Sequence, residues 1–292
     1  MASGQNLITV LGPLIGAVLL QNSVSASTVR HDQVGGDYLN LAAQMDYAPV
    51  GRFVNSWGYT GNATLIAPNW VLTAAHVLNA ASGGTFSING DSYTSAQMVI
   101  NPGWNGNAFN GYDFALVRLS TPVLGVTPAS LYTGSSELGQ IGTFVGYGFT
   151  GTGLTGWQTL DNQKRAFQNV IDGNFGNPSV LLGSDFDNPN SPADSDFGDV
   201  NPLTLEGCVA PGDSGGGIFL FDGSQSYLAG VISFVAGRDG NANADYGDVS
   251  GFGRVSAFAP WIASVVPEPS SASFLVLAGL GLFFRQRHQR RV

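Results

Sequence analysis

Short runs of strand-forming residues recur along the chain, each bounded by glycine, asparagine or proline. The runs include Ala63–Ile66, Trp70–Thr73, Thr85–Ile88, Phe114–Leu119, Gly142–Val145, Gly217–Phe221 and Tyr227–Phe234. Helical spacing of apolar residues appears only at Ser256–Val265. Regularly spaced short strands with turns between them are typical of an antiparallel barrel or sandwich, and the 41 glycines suit so many turns. The sequence therefore predicts an all-β fold with one short helix near the C-terminus.

The first 26 residues have the features of a targeting segment. The apolar run Leu7–Leu20 is too short to span a bilayer, and it leads to Val24-Ser25-Ala26, small residues that suit cleavage by a signal peptidase. No lysine or arginine precedes the run, which is atypical of a signal peptide. A buried N-terminal helix is the alternative, but the run has no polar face. We predict a signal peptide at 1–26, with cleavage after Ala26.

Three features follow one another at the C-terminus: Pro267-Glu268-Pro269, a charge-free apolar segment that ends at Phe284, and a tail with four arginines. An apolar segment of this kind inserts into a membrane and keeps its basic end in the cytoplasm. It is shorter than the roughly 20 residues of a permanent span, so we expect transient anchoring. The arrangement resembles the PEP-CTERM sorting signal of Gram-negative bacteria, which an exosortase processes. The resemblance implies that 267–292 directs a chain exported across the inner membrane to the envelope or beyond; an ordinary tail anchor is the alternative.

The body of the chain, 27–266, is strongly acidic. It holds 19 of the 20 acidic residues but only 7 of the 11 basic ones. Such a charge argues against nucleic-acid binding and favours solubility outside the cell. Cys208 is the only cysteine, so no intramolecular disulfide can form. About 240 residues are enough for a core that stabilises the fold by itself.

Two short blocks bring a histidine and an aspartate to strand ends. In Asn69–Val77 an apolar strand ends in small residues, and His76 follows at its tip. Asp113 directly precedes the buried strand Phe114–Leu119. A carboxylate at such a place is costly unless a partner binds it. Either residue alone would more often be structural.

A third block, Pro211–Gly217, places Ser214 among glycines. Glycine permits backbone conformations that a side chain forbids, so main-chain N–H groups can converge on a developing oxyanion beside the hydroxyl. A flexible glycine turn is the alternative. The chain order histidine, aspartate, serine is one of the few in which this machinery recurs.

Together the three blocks resemble the chymotrypsin (trypsin-like) serine peptidase family over roughly residues 34–265. The resemblance implies a peptidase domain at 27–266, built as two six-stranded antiparallel β-barrels at about 34–133 and 134–256, with the active site between them. It also implies a serine endopeptidase that acts on protein or peptide substrates, and we expect no cofactor and no metal.

The resemblance assigns roles to residues of this chain. Ser214 is the nucleophile, His76 the general base and then acid, and Asp113 the group that fixes the imidazole tautomer. The backbone N–H groups of Gly212 and Ser214 form the oxyanion hole. Ser233 is expected to hydrogen-bond to Asp113.

Four residues are expected to form the substrate pocket: Cys208, Ser233, Val235 and Ser250. Cys208 stands six residues before Ser214, so the pocket floor has no aspartate to attract arginine or lysine. Val235 occupies a position where glycine opens the pocket of trypsin-like enzymes. A valine there should exclude large side chains and give a preference for alanine or valine before the cleaved bond.

Activation is left open by the sequence. In animal members of the family a freed N-terminus pairs with the aspartate before the nucleophile, here Asp213. Val34-Gly35-Gly36 lies at a suitable distance from His76, but cleavage after a basic residue would not expose it. Either an unusual cut occurs, or Asp213 has another cation or hydrogen-bond partner.

Three alternatives concern function. The aspartates between Asp185 and Asp199 could hold calcium, but they lack the spacing of a known calcium loop, and a solvated acidic loop is expected instead. A catalytically weak, protease-like binding or adhesion module of the extracellular matrix would normally have lost a triad residue. An esterase would need the order serine, acid, histidine, and no usable histidine follows Ser214.

Overall fold

A computed structural model describes residues 27–174, 176–198 and 200–267. The predicted signal peptide at 1–26 lies outside the described residues. So do Glu268, Pro269, the apolar segment and the arginine tail of the sorting signal, of which only Pro267 is described. In the described part of the chain, no helix combines the length and the apolar character needed to cross a bilayer.

Six strands of the first half form a closed antiparallel barrel, in the order β2-β3-β4-β7-β6-β5. The elements up to the end of this barrel are β1 (Ser27–Val29), α1 (Gly35–Ala42), β2 (Val50–Asn55), β3 (Thr60–Ala67), β4 (Trp70–Thr73), α2 (Ala75–Leu78), β5 (Gly84–Ile88), β6 (Asp91–Ile100) and β7 (Ala115–Leu119). Large side chains that point inward from alternate positions fill the barrel; Phe53, Leu65, Phe86 and Leu116 are fully buried.

The second half contains a larger sheet, ordered β12-β9-β16-β17-β18-β14-β13. Its elements, with those around it, are β8 (Ser130–Leu131), β9 (Ile141–Gly146), β10 (Thr150–Thr152), β11 (Gly156–Thr159), β12 (Arg165–Val170), β13 (Gly173–Asn174), β14 (Leu181–Asp185), β15 (Gly207–Cys208), β16 (Gly217–Phe221), β17 (Ser226–Ala236), β18 (Val249–Arg254) and α3 (Val255–Val265). Phe144 is the centre of its core, stacked on Phe167 and edge-on to Phe252.

The predicted all-β fold with a short C-terminal helix is confirmed, with one qualification. The second sheet curls into a half-barrel rather than closing, because β12 and β14 share no ladder of backbone hydrogen bonds among the described residues. A side chain joins them instead: Asn169 Nδ2 donates to the Asp185 carbonyl oxygen. The helix predicted at Ser256–Val265 is present as α3.

Helix α1 was not predicted. The sequence shows no helical periodicity before residue 256, yet Gly35–Ala42 is helical and buries Tyr38 and Leu41. The Tyr38 hydroxyl donates to the Glu206 carbonyl oxygen at 3.0 Å. Tertiary contacts of this kind override the weak helix propensity of a Gly-Gly start.

The two halves are held together by aromatic and ionic contacts. Phe114, directly after Asp113, packs against Phe258 of α3 with ring centroids 4.2 Å apart. Glu137, 1% exposed, accepts hydrogen bonds from Arg254 at the end of β18 and from Ser256 of α3. The segment between the barrels is therefore tied to the C-terminal helix by a buried carboxylate.

Replacing Glu137 by glutamine should lower the free energy of unfolding by about 2 kcal/mol, because Arg254 loses its charge-assisted hydrogen bonds while the shape of the side chain is kept. Urea unfolding monitored by tryptophan fluorescence measures the change. The exposed Asp91→Asn is the matched control and should change stability little. Equal midpoints for the two variants would contradict a stabilising role for Glu137.

Candidate active site

His76 and Asp113 form a close pair on the first barrel. His76 lies in the single helical turn α2 that follows β4, and Asp113 lies just before β7. Because β4 pairs directly with β7, the two strand ends meet. The Asp113 carboxylate accepts from the His76 backbone N–H at 2.9 Å through Oδ1, and its Oδ2 lies 2.7 Å from His76 Nδ1. The pairing holds the imidazole in one orientation.

A third group from the other half of the molecule binds the same carboxylate. Ser233 of β17 donates its hydroxyl to Asp113 Oδ2 at 2.5 Å. Asp113 is 2% exposed, whereas the side chain of His76 is 25% exposed. The carboxylate is thus buried with its donors, and the imidazole reaches the cleft.

Ser214 stands on a tight turn that contacts the barrel carrying His76. Its carbonyl oxygen accepts from Asn62 N at 2.7 Å, and Asn62 Nδ2 donates to the Gly212 carbonyl oxygen at 2.8 Å. Gly215 adopts a φ of 79° and approaches so closely that a Cβ there would lie 2.3 Å from Thr73 Oγ1. Only glycine fits this contact, which brings Ser214 next to the strand that leads to His76.

Two backbone amides beside Ser214 are available to a ligand. Gly212, with a φ of 92°, and Ser214 itself donate no N–H hydrogen bond to any described residue. His76 Nε2 and Ser214 Oγ likewise make no hydrogen bond within the described part of the chain, to each other or to other groups. In ligand-free sites such bonds are often long and shorten only when substrate binds.

A pocket of about 140 Å³ opens beside Ser214. Its walls are mostly apolar, and its lining residues are Val209, Ala210, Pro211, Ser214, Ile232, Ser233, Phe234 and Val235. Two of the four residues expected to form the pocket, Ser233 and Val235, are therefore part of its wall.

The other two, Cys208 and Ser250, do not line the pocket but lie behind it. Ser250 Oγ accepts from Val209 N at 3.1 Å and lies 3.4 Å from Cys208 Sγ. Burial raises the pKa of the Cys208 thiol, which is therefore neutral. Ser250 therefore contacts the pocket wall through the backbone of Val209.

Asp248 lies near Cys208, behind the pocket wall, and backbone N–H groups already donate hydrogen bonds to its carboxylate. It is fully buried and accepts from the backbone N–H groups of Arg238 and Ala244, at 3.0 and 2.8 Å. Burial raises its pKa to about 6. Asp248 is not among the residues that line the pocket.

Asp213 is fully buried, and three donors hold it. Gly148 N donates to Oδ1 at 2.8 Å, and Ala210 N and the Ser27 hydroxyl each donate to Oδ2 at 2.9 Å. Val34, considered from the sequence as a freed end, is instead 68% exposed and caps helix α1. The sequence left open whether Asp213 has another hydrogen-bond partner, and the structure supplies one in Ser27.

The acidic loop expected to be solvated is partly buried. Asp185 and Asp187 are 2% and 4% exposed. Asp185 accepts from Ser195 Oγ and from two backbone N–H groups of the loop, so it organises the loop from inside. Asp199 lies outside the described residues. In the described part of the chain, no group of three or more acidic, histidine or cysteine side chains is arranged to hold a metal.

Two residues of the site were missed in the sequence. Asn62, fully buried, links the Ser214 turn to the first barrel; a polar residue inside the apolar run before β4 was the available signal. Ser27 binds Asp213, and its position directly after the predicted signal peptide was the signal. Neither contact can be inferred without the tertiary fold, because each joins residues at least 150 positions apart.

The chain is similar to known proteins in both sequence and fold. The sequence model described as Trypsin matches residues 43–177, and that of the PEP-CTERM protein-sorting motif matches residues 265–291. Chymotrypsin-like elastase family member 1 of Rattus norvegicus is 30% identical, with 72% of this chain and 80% of the relative aligned. The Homo sapiens protein of the same name is 31% identical, over 71% and 81%. Neuropsin, described as a serine protease of mouse brain, shares the fold at a TM-score of 0.57 and 17% identity, over 76% of this chain and 95% of neuropsin.

Proposed function

The chain belongs to the trypsin family of serine proteases, and from this premise we propose that it is an active serine endopeptidase with His76, Asp113 and Ser214 as its triad. Ser214 would attack the peptide carbonyl while His76 takes its proton, and water would then release the acyl group. The N–H groups of Gly212 and Ser214 would stabilise the oxyanion.

The observation that carries this proposal is the buried Asp113 carboxylate. It binds His76 through the backbone and Nδ1, and it also binds Ser233, beside the pocket that Ser214 lines. A carboxylate that holds an imidazole in one tautomer leaves Nε2 as the basic nitrogen. The N–H groups of Gly212 and Ser214, which donate to no residue that the structure describes, support the same assignment.

A preference for small apolar side chains is part of the proposal. The pocket volume of about 140 Å³ is small, and Phe234 and Val235 narrow it from β17. The side chains that line it carry no charge. The similarity to relatives named chymotrypsin-like elastase supports a preference for small apolar side chains.

The site of action is proposed from the sorting motif. The motif indicates export in a Gram-negative bacterium and association with the envelope. An exosortase would process the chain near Pro267-Glu268-Pro269, after the apolar segment has anchored it transiently. The substrate would then be a protein or peptide of the envelope or the surroundings.

Incubating a peptide library with the purified chain from Ser27 to Val292, and identifying the bonds that are cleaved, tests the proposal. We expect cleavage after alanine and valine, and none by the Ser214→Ala variant prepared in parallel. Equal cleavage by the two proteins would refute an enzyme that uses Ser214. Rapid cleavage after arginine or phenylalanine, with none after alanine, would refute the pocket assignment alone.

Val235→Gly should widen the pocket and shift its preference. Removing the side chain should raise kcat/KM for a phenylalanine peptide, relative to an alanine peptide, by about 10-fold or more, since a few methylene groups decide discrimination in an apolar pocket. Hydrolysis rates of the paired peptides measure the ratio. Val54→Gly on β2, outside the pocket, is the control that should leave the ratio unchanged. An unchanged ratio in Val235→Gly would show that this side chain does not limit substrate size.

A further inference from the structure

A groove runs along the segment 43–49, which links helix α1 to β2. It consists of two adjoining pockets of about 480 and 650 Å³, and both pockets are lined by Gln44, Asp46 and Ser226. Neither pocket shares a lining residue with the pocket beside Ser214. Both volumes lie in the range of small-molecule sites. The groove is therefore a second, separate concave surface on which a ligand could bind.

Strand β16 connects this groove to the turn that carries Ser214. The strand begins at Gly217, three residues after Ser214, and ends at Phe221, which lines the larger pocket. Four residue steps along a strand cover about 13 Å. A ligand in the groove would thus leave the pocket beside Ser214 open, and both could be occupied at the same time.

Side-chain amides and hydroxyls make up most of the polar lining of the groove. Its glutamines are Gln44, Gln140, Gln168 and Gln225. The amides of Gln44 and Gln168 form no hydrogen bond with any residue that the structure describes. Each amide offers two donors and an acceptor oxygen. A ligand that presents neighbouring hydroxyl groups, each of them both donor and acceptor, matches such a lining.

The formal charges in the groove cancel, and each charged group already has a neutral neighbour. Among the described residues, Asp46 and Lys164 are the charged ones that line it. Asp46 Oδ2 accepts from the Ser226 hydroxyl at 2.6 Å, and the Lys164 ammonium donates to the Tyr47 carbonyl oxygen. The acidic body of the chain would repel a polyanion. These observations favour a neutral ligand over a charged polymer.

Apolar side chains stand at the rim of the groove. Phe221 is 60% exposed at the end of β16, and Met45 and Ile141 are 81% and 48% exposed. A flat aromatic ring can bury the C–H face of a sugar ring, while amides beside it bind the sugar hydroxyls. An exposed ring next to amides without partners in the described chain thus fits a carbohydrate.

The strands at the groove offer no free edge to a peptide. β9 pairs with β12 and β16, and β16 pairs with β9 and β17. An extended peptide commonly satisfies its backbone by adding to a free strand edge, and a proline-rich peptide docks between several aromatic rings. Of the two aromatic residues in the described lining, Phe221 and Tyr47, only Phe221 is strongly exposed. A sugar is therefore a better match than a peptide.

From these observations we propose that the groove is a binding site for a neutral polysaccharide, separate from the peptidase site. Gln44 and Gln168 bind hydroxyl groups of the polymer, Asp46 accepts a hydrogen bond from another, and Phe221 packs against a sugar ring. No covalent bond is made or broken. A protein held in this way stays on a polysaccharide surface while the cleft that contains Ser214 remains accessible.

Electrophoresis in native gels that contain a polysaccharide tests the inference. The purified chain from Ser27 to Val292 carries Ser214→Ala, so that no cleavage complicates the result. The neutral probes are dextran, barley β-glucan and galactomannan, and alginate is the anionic probe. We expect at least one neutral polymer to retard the protein and alginate to have no effect. Mobility measured against polymer concentration gives the dissociation constant.

Variants of the groove locate the binding. Phe221→Ala should weaken affinity by about 10-fold or more, because the apolar contact of the ring is lost. Gln168→Ala should weaken it by about 3-fold or more, through the loss of a hydrogen bond. Leu154→Ala, at an exposed position between β10 and β11, and Gln97→Ala on β6 are the matched controls outside the groove and should bind like the parent. Unfolding midpoints show that each variant is folded.

Three results would overturn the inference: no retardation by any of the neutral polymers, retardation by alginate alone, or equal affinities of the groove variants and their controls. Relief of the retardation by peptides from digested casein would assign the groove to a peptide instead. Every binding assay uses Ser214→Ala, so the outcome is independent of whether the proposed peptidase activity is found.

Discussion

Replacing His76 by alanine should lower kcat by about 10⁶-fold, because the general base is lost and Ser214 keeps its proton. Asp113 holds Nδ1, and Nε2 makes no hydrogen bond to a described residue, so Nε2 is the nitrogen left for the nucleophile. The His76 side chain is 25% exposed, and its truncation should therefore disturb the core little. Hydrolysis of an alanine peptide at high enzyme concentration measures the residual rate.

His31 provides the matched control for this substitution. Its ring binds the Tyr246 hydroxyl through Nδ1 at 2.7 Å, away from the pair that His76 forms with Asp113. His31→Ala should keep kcat within a few-fold. The double variant His76→Ala with Ser214→Ala should be no slower than either single variant, because the residues of a triad act as a unit. If the losses of kcat in the two single variants added up in the double variant, His76 and Ser214 would not act as one catalytic unit.

Asp113→Asn should lower kcat by about 10⁴-fold while the geometry is kept. Oδ2 of the carboxylate lies within hydrogen-bond distance of His76 Nδ1 and accepts a hydrogen bond from the Ser233 hydroxyl. Oδ1 accepts a hydrogen bond from the His76 backbone N–H. An asparagine cannot accept at both positions. If its NH₂ group faces Nδ1, that nitrogen must accept, and the proton moves to Nε2, where it blocks the base.

The measurement is kcat on the same peptide, together with the unfolding midpoint. Asp91→Asn, an exposed change of the same chemistry, is the control and should leave kcat unchanged. Asp113→Asn with near-normal kcat and an intact fold would show that His76 does not depend on this carboxylate for its tautomer.

The strands and the three site blocks could be predicted because their signals are local. The apolar run before His76 predicts a strand that ends there, and the apolar run after Asp113 predicts a strand that begins there. The glycines around Ser214 predict a tight turn. The lone Cys208 and the acidic body likewise follow from composition. Pairing of β4 with β7, which brings His76 to Asp113, follows only from the family resemblance.

The remaining features depend on contacts between distant parts of the chain. Helix α1 forms where the sequence gives no periodicity, because Tyr38 is buried in the core of the second half-barrel and Leu41 in the larger core that includes the first barrel. Asp185 and Asp187 were expected to be solvated, yet backbone donors of their own loop and Asn169 of β12 enclose this region. Cys208 and Ser250 were expected in the pocket, but neither is among the residues that line the opening beside Ser214, and Ser250 Oγ instead accepts from the Val209 backbone N–H.

Covalent labelling by a fluorophosphonate tests the central claim, that Ser214 is a nucleophile activated by His76. The reagent is applied to the chain that begins at Ser27, and the labelled peptide is located by mass spectrometry. We expect one adduct, on Ser214, that forms rapidly in the unmodified protein and is nearly absent from His76→Ala and Asp113→Asn. No adduct on a folded chain, or labelling of Ser214 at the same rate in His76→Ala, would contradict the assignment.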